Sequence, residues 1–258
     1  MKQWLVLFKK ETVEMMRNYK WVWIPLVFAV FGLMQPISSY YMPDLMENFG
    51  DLPEGTVIEI PIPPPGAVMN SALAQFTQMG VLVLVLSSMG AVSSERTAGT
   101  AGLILAKPVS KTSFITAKWT AAVLVAWLAL ILGFAAAWYY TELLIGPVEA
   151  GPAISSFFVY GLFLTFVVTV TIFLSTLMKN SLGIAFLSIG VVLALSILSS
   201  VLKSLLFWSP GTLTGHAGSL LETGEAGDHF VLAVTMSIIV IASLLFLAPT
   251  LFKRQKRV

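Results

Sequence analysis

The chain has 258 residues, 57% of them hydrophobic and 11% charged, with mean hydropathy +0.88, 15 Lys and Arg against 13 Asp and Glu, and no cysteine. A water-soluble domain of this length needs far more charge to cover its surface, so the composition excludes one and places most apolar surface against lipid. The missing cysteines exclude disulfides, thiolate metal centres and cysteine nucleophiles.

Residues 1–20 are too polar to span a bilayer. Wound as a helix, they carry Trp4, Leu5, Phe8, Met15, Met16 and Tyr19 on one side and Lys9, Lys10, Arg17 and Lys20 largely on the other. This pattern predicts an amphipathic helix lying in the membrane interface, and it fits a cleaved signal peptide worse, because the charged region and the apolar run after it are both too long.

Six apolar runs follow, at 21–41, 70–92, 114–140, 154–177, 181–202 and 230–252, each near or above the roughly 20 residues that cross the hydrocarbon as a helix. The fold class expected is all-α and integral to the membrane. Pro25, Pro36 and Pro249 are placed near run ends, where a proline disturbs a helix least. Aromatic residues such as Trp21, Trp23, Tyr40, Tyr41, Trp138 and Trp208 gather at the predicted boundaries, as an interfacial belt requires.

Charge sets the expected orientation. Of the 15 Lys and Arg, 14 lie in the first helix, in the segment 93–118, at Lys179 or in the tail, and only Lys203 lies in a loop on the other side. The opposite loops hold Asp44, Glu47, Asp51, Glu54, Glu59, Glu142, Glu149, Glu222, Glu225 and Asp228. The positive-inside rule therefore predicts both termini in the cytoplasm of a multi-pass protein of the cell membrane. Of the outer loops, 42–69 carries Pro61, Pro63, Pro64 and Pro65 and should be extended. The loop from Lys203 to His229 opens with Leu205, Leu206, Phe207 and Trp208, and its start reads equally as a surface loop or as an element dipping back into the outer leaflet.

Absences limit the chemistry. No G-x-x-x-x-G-K-[ST] phosphate loop occurs, so no ATP binding of the P-loop kind is expected on this chain. His216 and His229 lie in the last outer loop beside Glu222, Glu225 and Asp228, but their spacing matches no known metal pattern, and no metal site or catalytic residue is expected. The central portions of the six spans hold no ionisable residue, which argues against an ion-coupled transporter or a proton relay. Polar groups at depth are Gln35, Gln75, Gln78, Thr77, Thr165, Thr169 and Thr171, which either pack helix against helix or line a path; the three glutamines are the weak candidates for a substrate path. Energy for any transport must then come from another chain.

The stretch 93–118, SSERTAGTAGLILAKPVSKTSFITAK, is the longest internal segment on the basic side. Proline disfavours helix at and before its position, so a short helix ending near Pro108 would form a compact knob there. With the amphipathic first helix and six spans, the run Ser94-Glu95-Arg96-x-x-Gly99-Thr100 and then Lys107-Pro108-Val109-Ser110-Lys111 resembles the ABC-2 class of ABC transporter permeases. The likeness is to the short bacterial type that includes sodium-export, bacitracin-resistance and lantibiotic-immunity permeases. It covers nearly the whole chain in architecture and residues 93–118 in motif.

The resemblance implies a permease that pairs with an identical or homologous chain and docks two cytoplasmic ATPase subunits, which bind ATP and Mg; no cofactor on this chain and no nucleic acid are implied. It makes Glu95, Arg96, Gly99, Thr100, Lys107, Pro108 and Lys111 candidate ATPase-coupling residues, and it implies a last outer loop that re-enters the membrane. An uncharged path suits an amphiphilic cargo, a peptide, lipid or drug. Two other readings stay open: a membrane anchor or sensor for an ATPase, and a membrane enzyme built around His216 and His229.

Overall fold

The computed structural model describes residues 2–49, 61–100 and 110–254, which are 86% helical with no strand among them. The helices are α1 (Lys2–Arg17), α2 (Lys20–Phe49), α3 (Pro65–Gln75), α4 (Val81–Ser88), α5 (Ser93–Thr97), α6 (Lys111–Leu144), α7 (Ala150–Leu177), α8 (Ser181–Val201), α9 (Lys203–Leu206), α10 (Leu213–Thr223) and α11 (Phe230–Arg254). A π-helical turn, Phe76–Gly80, joins α3 to α4. Six stretches are long and apolar enough to cross a membrane, namely Lys20–Pro43, Pro65–Thr97, Lys111–Leu144, Ala150–Leu177, Ser181–Val201 and Phe230–Phe252.

Several helices outrun their apolar runs. Pro25, Pro36 and Pro43 all lie inside α2, which continues to Phe49. The second span begins at Pro65, because Pro64 is extended (φ −61°, ψ 151°) and Pro65 occupies the first turn, where its missing amide costs no hydrogen bond. Ser110 caps α6 by accepting a hydrogen bond from the Ser113 amide at 3.0 Å, which starts that helix well before Phe114.

The centre of the bundle is α7, whose apolar window is 78% buried against 22% for α8 and 17% for the last span. Its threonines join helices: Trp119 and Trp127 of α6 donate indole N–H groups to Thr169 and Thr165 at 2.8 and 3.0 Å, and the Thr77 and Tyr160 hydroxyls lie 3.0 Å apart. Helices α2 and α6 make the most extensive helix contact. They cross at Gly32 and Gly133 so closely that a Cβ on Gly32 would lie 2.1 Å from the Gly133 carbonyl oxygen, the small-residue packing that lets backbones touch in lipid.

Charge and length separate the two ends of the bundle. The basic end holds α1, α5, the start of α6, the end of α7 and the start of α8. At the acidic end the chain leaves α8 at Val201 and folds back, so that Gly211 packs against the Leu195 carbonyl and Ser199. Leu195 lies six positions before Val201, a return of about 9 Å along α8 at 1.5 Å per residue. Helix α10 then runs outward beside α7 and α3, with Ser156 donating to the Ala217 carbonyl at 2.8 Å and Asn70 to Glu222 at 2.6 Å. The segment after Lys203 is thus a folded-back element packed into the bundle, not a loop lying over it.

Candidate functional site

The candidate site is the ionic knot at the basic end. Helix α1 packs on α6 through Trp4, Leu7, Phe8, Glu11 and Met15, with the Trp4 indole donating to Thr116 Oγ1 at 3.1 Å. Leu5, Val6, Val13 and Met16 point outward instead. The expected single apolar face is therefore divided, one part against protein and one free for lipid, and an acid, Glu11, sits in the protein-facing part. Tyr19, in the left-handed region at φ 53°, turns the chain from α1 into α2.

Glu11 is buried because its partner is buried. Lys118, 2% exposed, donates from Nζ to Glu11 Oε1 at 2.8 Å and to Glu95 Oε1 at 3.0 Å. Lys10 joins from the solvent side, bonded to Glu11 at 3.0 Å, to Glu14 at 3.0 Å and to Glu95. Partial burial works against the Lys10 charge, but hydrogen bonds to Glu95 and Glu11 and the Glu11 charge outweigh it and hold its pKa above the ordinary lysine value. Glu11, Glu14 and Glu95 bring carboxylate oxygens within 4.8 Å of one another, a grouping that by itself suits a cation. Two lysine ammonium groups already fill that role here, so the chemistry is that of a mixed-charge clasp joining α1, α5 and α6.

Helix α5 is held on its other side by α7. The second span breaks after Ser88, over residues 89–92, and Ser175 repairs the break: its hydroxyl accepts from the Val92 and Ser93 amides, both at 3.1 Å, and donates to the Met89 carbonyl at 2.9 Å. Arg96 donates to the Thr176 carbonyl at 2.8 Å, close to the C-terminus of α7, where a cation also meets the negative end of the helix dipole. Its guanidinium lies 5.5 Å from the Phe252 ring centroid of α11. Helix α5 ends at Thr97; just beyond it Gly99 takes a φ of 75°, which favours glycine, and Thr100 Oγ1 donates to the Glu95 carbonyl at 3.2 Å.

The sequence-predicted residues thus fall into three groups. Glu95 and Arg96 are brought into the clasp, Gly99 and Thr100 terminate α5 at its exposed tip, and Lys111 opens α6 next to the capping Ser110. Lys107 and Pro108 lie outside the described residues. Of the glutamines, Gln35 Nε2 donates to Gln75 Oε1 at 2.8 Å between α2 and α3, while Gln78 is exposed within the π-helical turn. Glu11, Lys10 and Ser175 belong to this candidate site and are absent from the residues that the sequence offers for it. An acid on the packed face of an otherwise apolar stripe was the one available signal, at Glu11.

A helical membrane protein with an N-terminal helix, six candidate spans and a charged clasp at one end is the class that this fold defines. The family model described as "ABC-2 family transporter protein" matches residues 5–257, and the chain belongs to that family. It is also similar, at 31% identity over 254 residues covering 98% of each chain, to the uncharacterized transmembrane protein YxlG of Bacillus subtilis (strain 168).

Proposed function

We propose that this chain is the permease subunit of an ATP-driven exporter, with two cytoplasmic ATPase subunits bound at its basic end and a second permease chain, identical or homologous, beside it. ATP and Mg belong to the ATPase partners, and this chain carries no catalytic residue. The observation that carries the reading is the mounting of α5. A five-residue charged helix is fastened to α1, α6 and α7 at once, by Lys118 and Lys10 on Glu95, by Ser175 on the Val92 and Ser93 amides, and by Arg96 on the Thr176 carbonyl.

A helix so fastened behaves as a lever. A push on its tip at Gly99 and Thr100 is passed to three helices as a rigid-body displacement instead of being lost in loop motion. The net excess of Lys and Arg at this end supports a cytoplasmic position for it and for both termini in a protein of the cell membrane, by the positive-inside rule. The uncharged interiors of the spans favour an amphiphilic cargo, and the Gln35–Gln75 pair and Gln78 are polar groups on α2 and the second span that a path there would present.

The test is purification of the tagged chain from its native membrane in mild detergent, with identification of copurifying proteins. A stoichiometric soluble P-loop ATPase is expected, and an intact chain without one overturns the proposal. Gly99→Pro sharpens the assignment: proline fixes φ near −65° where 75° is needed, yet no atom lies within 4 Å of the position where a Cβ would sit. The variant should insert and fold while losing substrate-stimulated ATP hydrolysis, and unchanged coupling would remove α5 from the mechanism.

A further inference from the structure

At the acidic end the folded-back segment and α8 enclose a cavity of about 630 Å³ that the coupling mechanism does not use. That volume is in the range of small-molecule sites. Its wall is unusual for a position beside apolar helices: Ser196, Ser199, Ser219 and Thr214 supply hydroxyls, His216 an imidazole and Asp228 a carboxylate. Phe207 and His229 add a pair of rings with centroids 4.6 Å apart, His229 being held in the left-handed region at φ 63°. The Ser196 and Ser199 hydroxyl oxygens are buried and have no hydrogen-bond partner, and Ser199 is only 3% exposed.

Hydroxyls withdrawn from water without partners are unfavourable, and α8 carries two of them one turn apart on the cavity wall. A ligand that both donates and accepts would satisfy them. A bare acyl chain would leave them unpaired, and Asp228 disfavours an anion. A sugar ring has the required chemistry: its hydroxyls pair with serine, threonine, imidazole and carboxylate, and its C–H face packs on an aromatic ring. Leu198, Val201 and Leu205, the sequence neighbours of the lining Ser199, Ser200 and Ser204, are apolar and exposed, and they offer an alkyl chain attached to such a ring a surface to lie on.

We infer that this cavity binds a neutral, polyhydroxylated, sugar-type group, carried as the headgroup of an amphiphile whose chain lies along α8. The inference goes beyond the exporter reading and does not need the ATPase, since binding is read on the permease alone. The probe is radiolabelled dodecyl maltoside, used well below its micellar concentration with the full chain in phosphatidylcholine nanodiscs. Free maltose and a dodecyl polyoxyethylene ether are the competitors.

Gly215 lines the cavity with open space where its Cβ would be, so Gly215→Phe fills the site without a backbone clash. Saturable binding is expected, lost at least tenfold in Gly215→Phe and weakened severalfold in Ser199→Ala, with both variants melting as the parent does. Maltose should compete at higher concentration and the ether should not. Equal competition by the ether, or equal binding in the parent and both variants, overturns the inference. Free maltose binding as tightly as the glycoside overturns the amphiphile as its source and leaves a soluble saccharide. If Gly215→Phe lowers the melting temperature, Ser199→Ala alone decides: undiminished binding in that variant counts against the site.

Discussion

The two ends of the bundle handle polar groups in opposite ways. At the basic end Lys118 and Glu11 are buried and Glu95 is half-buried beside them; Lys118 Nζ lies 2.8 and 3.0 Å from the two carboxylates, although Glu95 Oε2 and the indole N–H of Trp21 find no protein partner. At the acidic end Ser196 and Ser199 are buried without partners on the wall of an open cavity. Polar groups satisfied inside the chain resist rearrangement, because moving any one strands another, whereas unsatisfied groups gain by taking up something from outside. The first arrangement suits transmission of a displacement and the second suits reception of a ligand. The contrast predicts that substitutions at the basic end will chiefly cost stability or coupling, while those in the cavity will chiefly cost binding.

Lys118 should give the largest effect. Lys118→Ala leaves the buried Glu11 and the half-buried Glu95 with only Lys10 to balance them, and removing one partner from a buried ionic group costs about 3–5 kcal/mol. Denaturant or thermal unfolding in detergent should show a loss of that order. The combination of Lys118→Met, Glu11→Gln and Glu95→Gln should recover most of it, because the uncompensated charge is gone. Should Lys118→Ala unfold like the parent, the knot is not a clasp and the contrast between the ends fails at its stronger side.

Ser175 should give an intermediate effect of a different kind. Its hydroxyl is the acceptor for two backbone amides at the break in the second span, at 3.1 Å each. Ser175→Ala leaves them without it, at about 1–3 kcal/mol for an unsatisfied buried donor. The loss should localise: amide exchange at 92–97 should rise well beyond any change in α7 itself. If α5 transmits motion, the variant should also lower the ratio of transport to ATP hydrolysed while hydrolysis continues. Ser175→Thr, which keeps the hydroxyl, should restore part of both.

Much of the fold was legible because a bilayer allows few alternatives. Runs such as 181–202 and 230–252 leave the chain no other way to satisfy its backbone at depth, and α8 and α11 begin and end within two residues of them. The helix starts at Pro65 and Lys111 were less legible, since a capping serine or an N1 proline extends a helix into sequence that no longer looks apolar. The segment 93–118 stood out by its residues, yet Glu95 and Arg96 read in isolation as a solvated pair. Their fastening depends on Lys118, on the Thr176 carbonyl and on Glu11, and Lys118 and Glu11 are 107 positions apart. Ser196 and Ser199 gave no signal, because a serine in an apolar run usually bonds to its own helix, as Ser200 does to the Ile197 carbonyl at 2.8 Å.

The smallest expected effect belongs to His216 and tests whether the acidic end is packed firmly enough to hold a ligand. His216 is 8% exposed in α10, with its ring edge-on to Phe230 at 5.6 Å, and burial pushes its pKa below the ordinary histidine value. The unfolded chain takes up a proton near pH 6.5 and the folded segment resists doing so until lower pH. The neutral ring therefore contributes stability that is fully present above about pH 6.5 and is lost as pH falls toward the depressed folded value. Protection of the Leu213–Thr223 amides, taken as exchange relative to the intrinsic rate at each pH, should fall a few-fold between pH 7.5 and 5.5 in the parent, and this fall should flatten in His216→Gln. Protection at 93–97 should not follow it, because no histidine belongs to the ionic clasp among the described residues. If both ends loosen together on acidification, they form one cooperative unit, and the division between a rigid lever and a receptive cavity does not describe this protein.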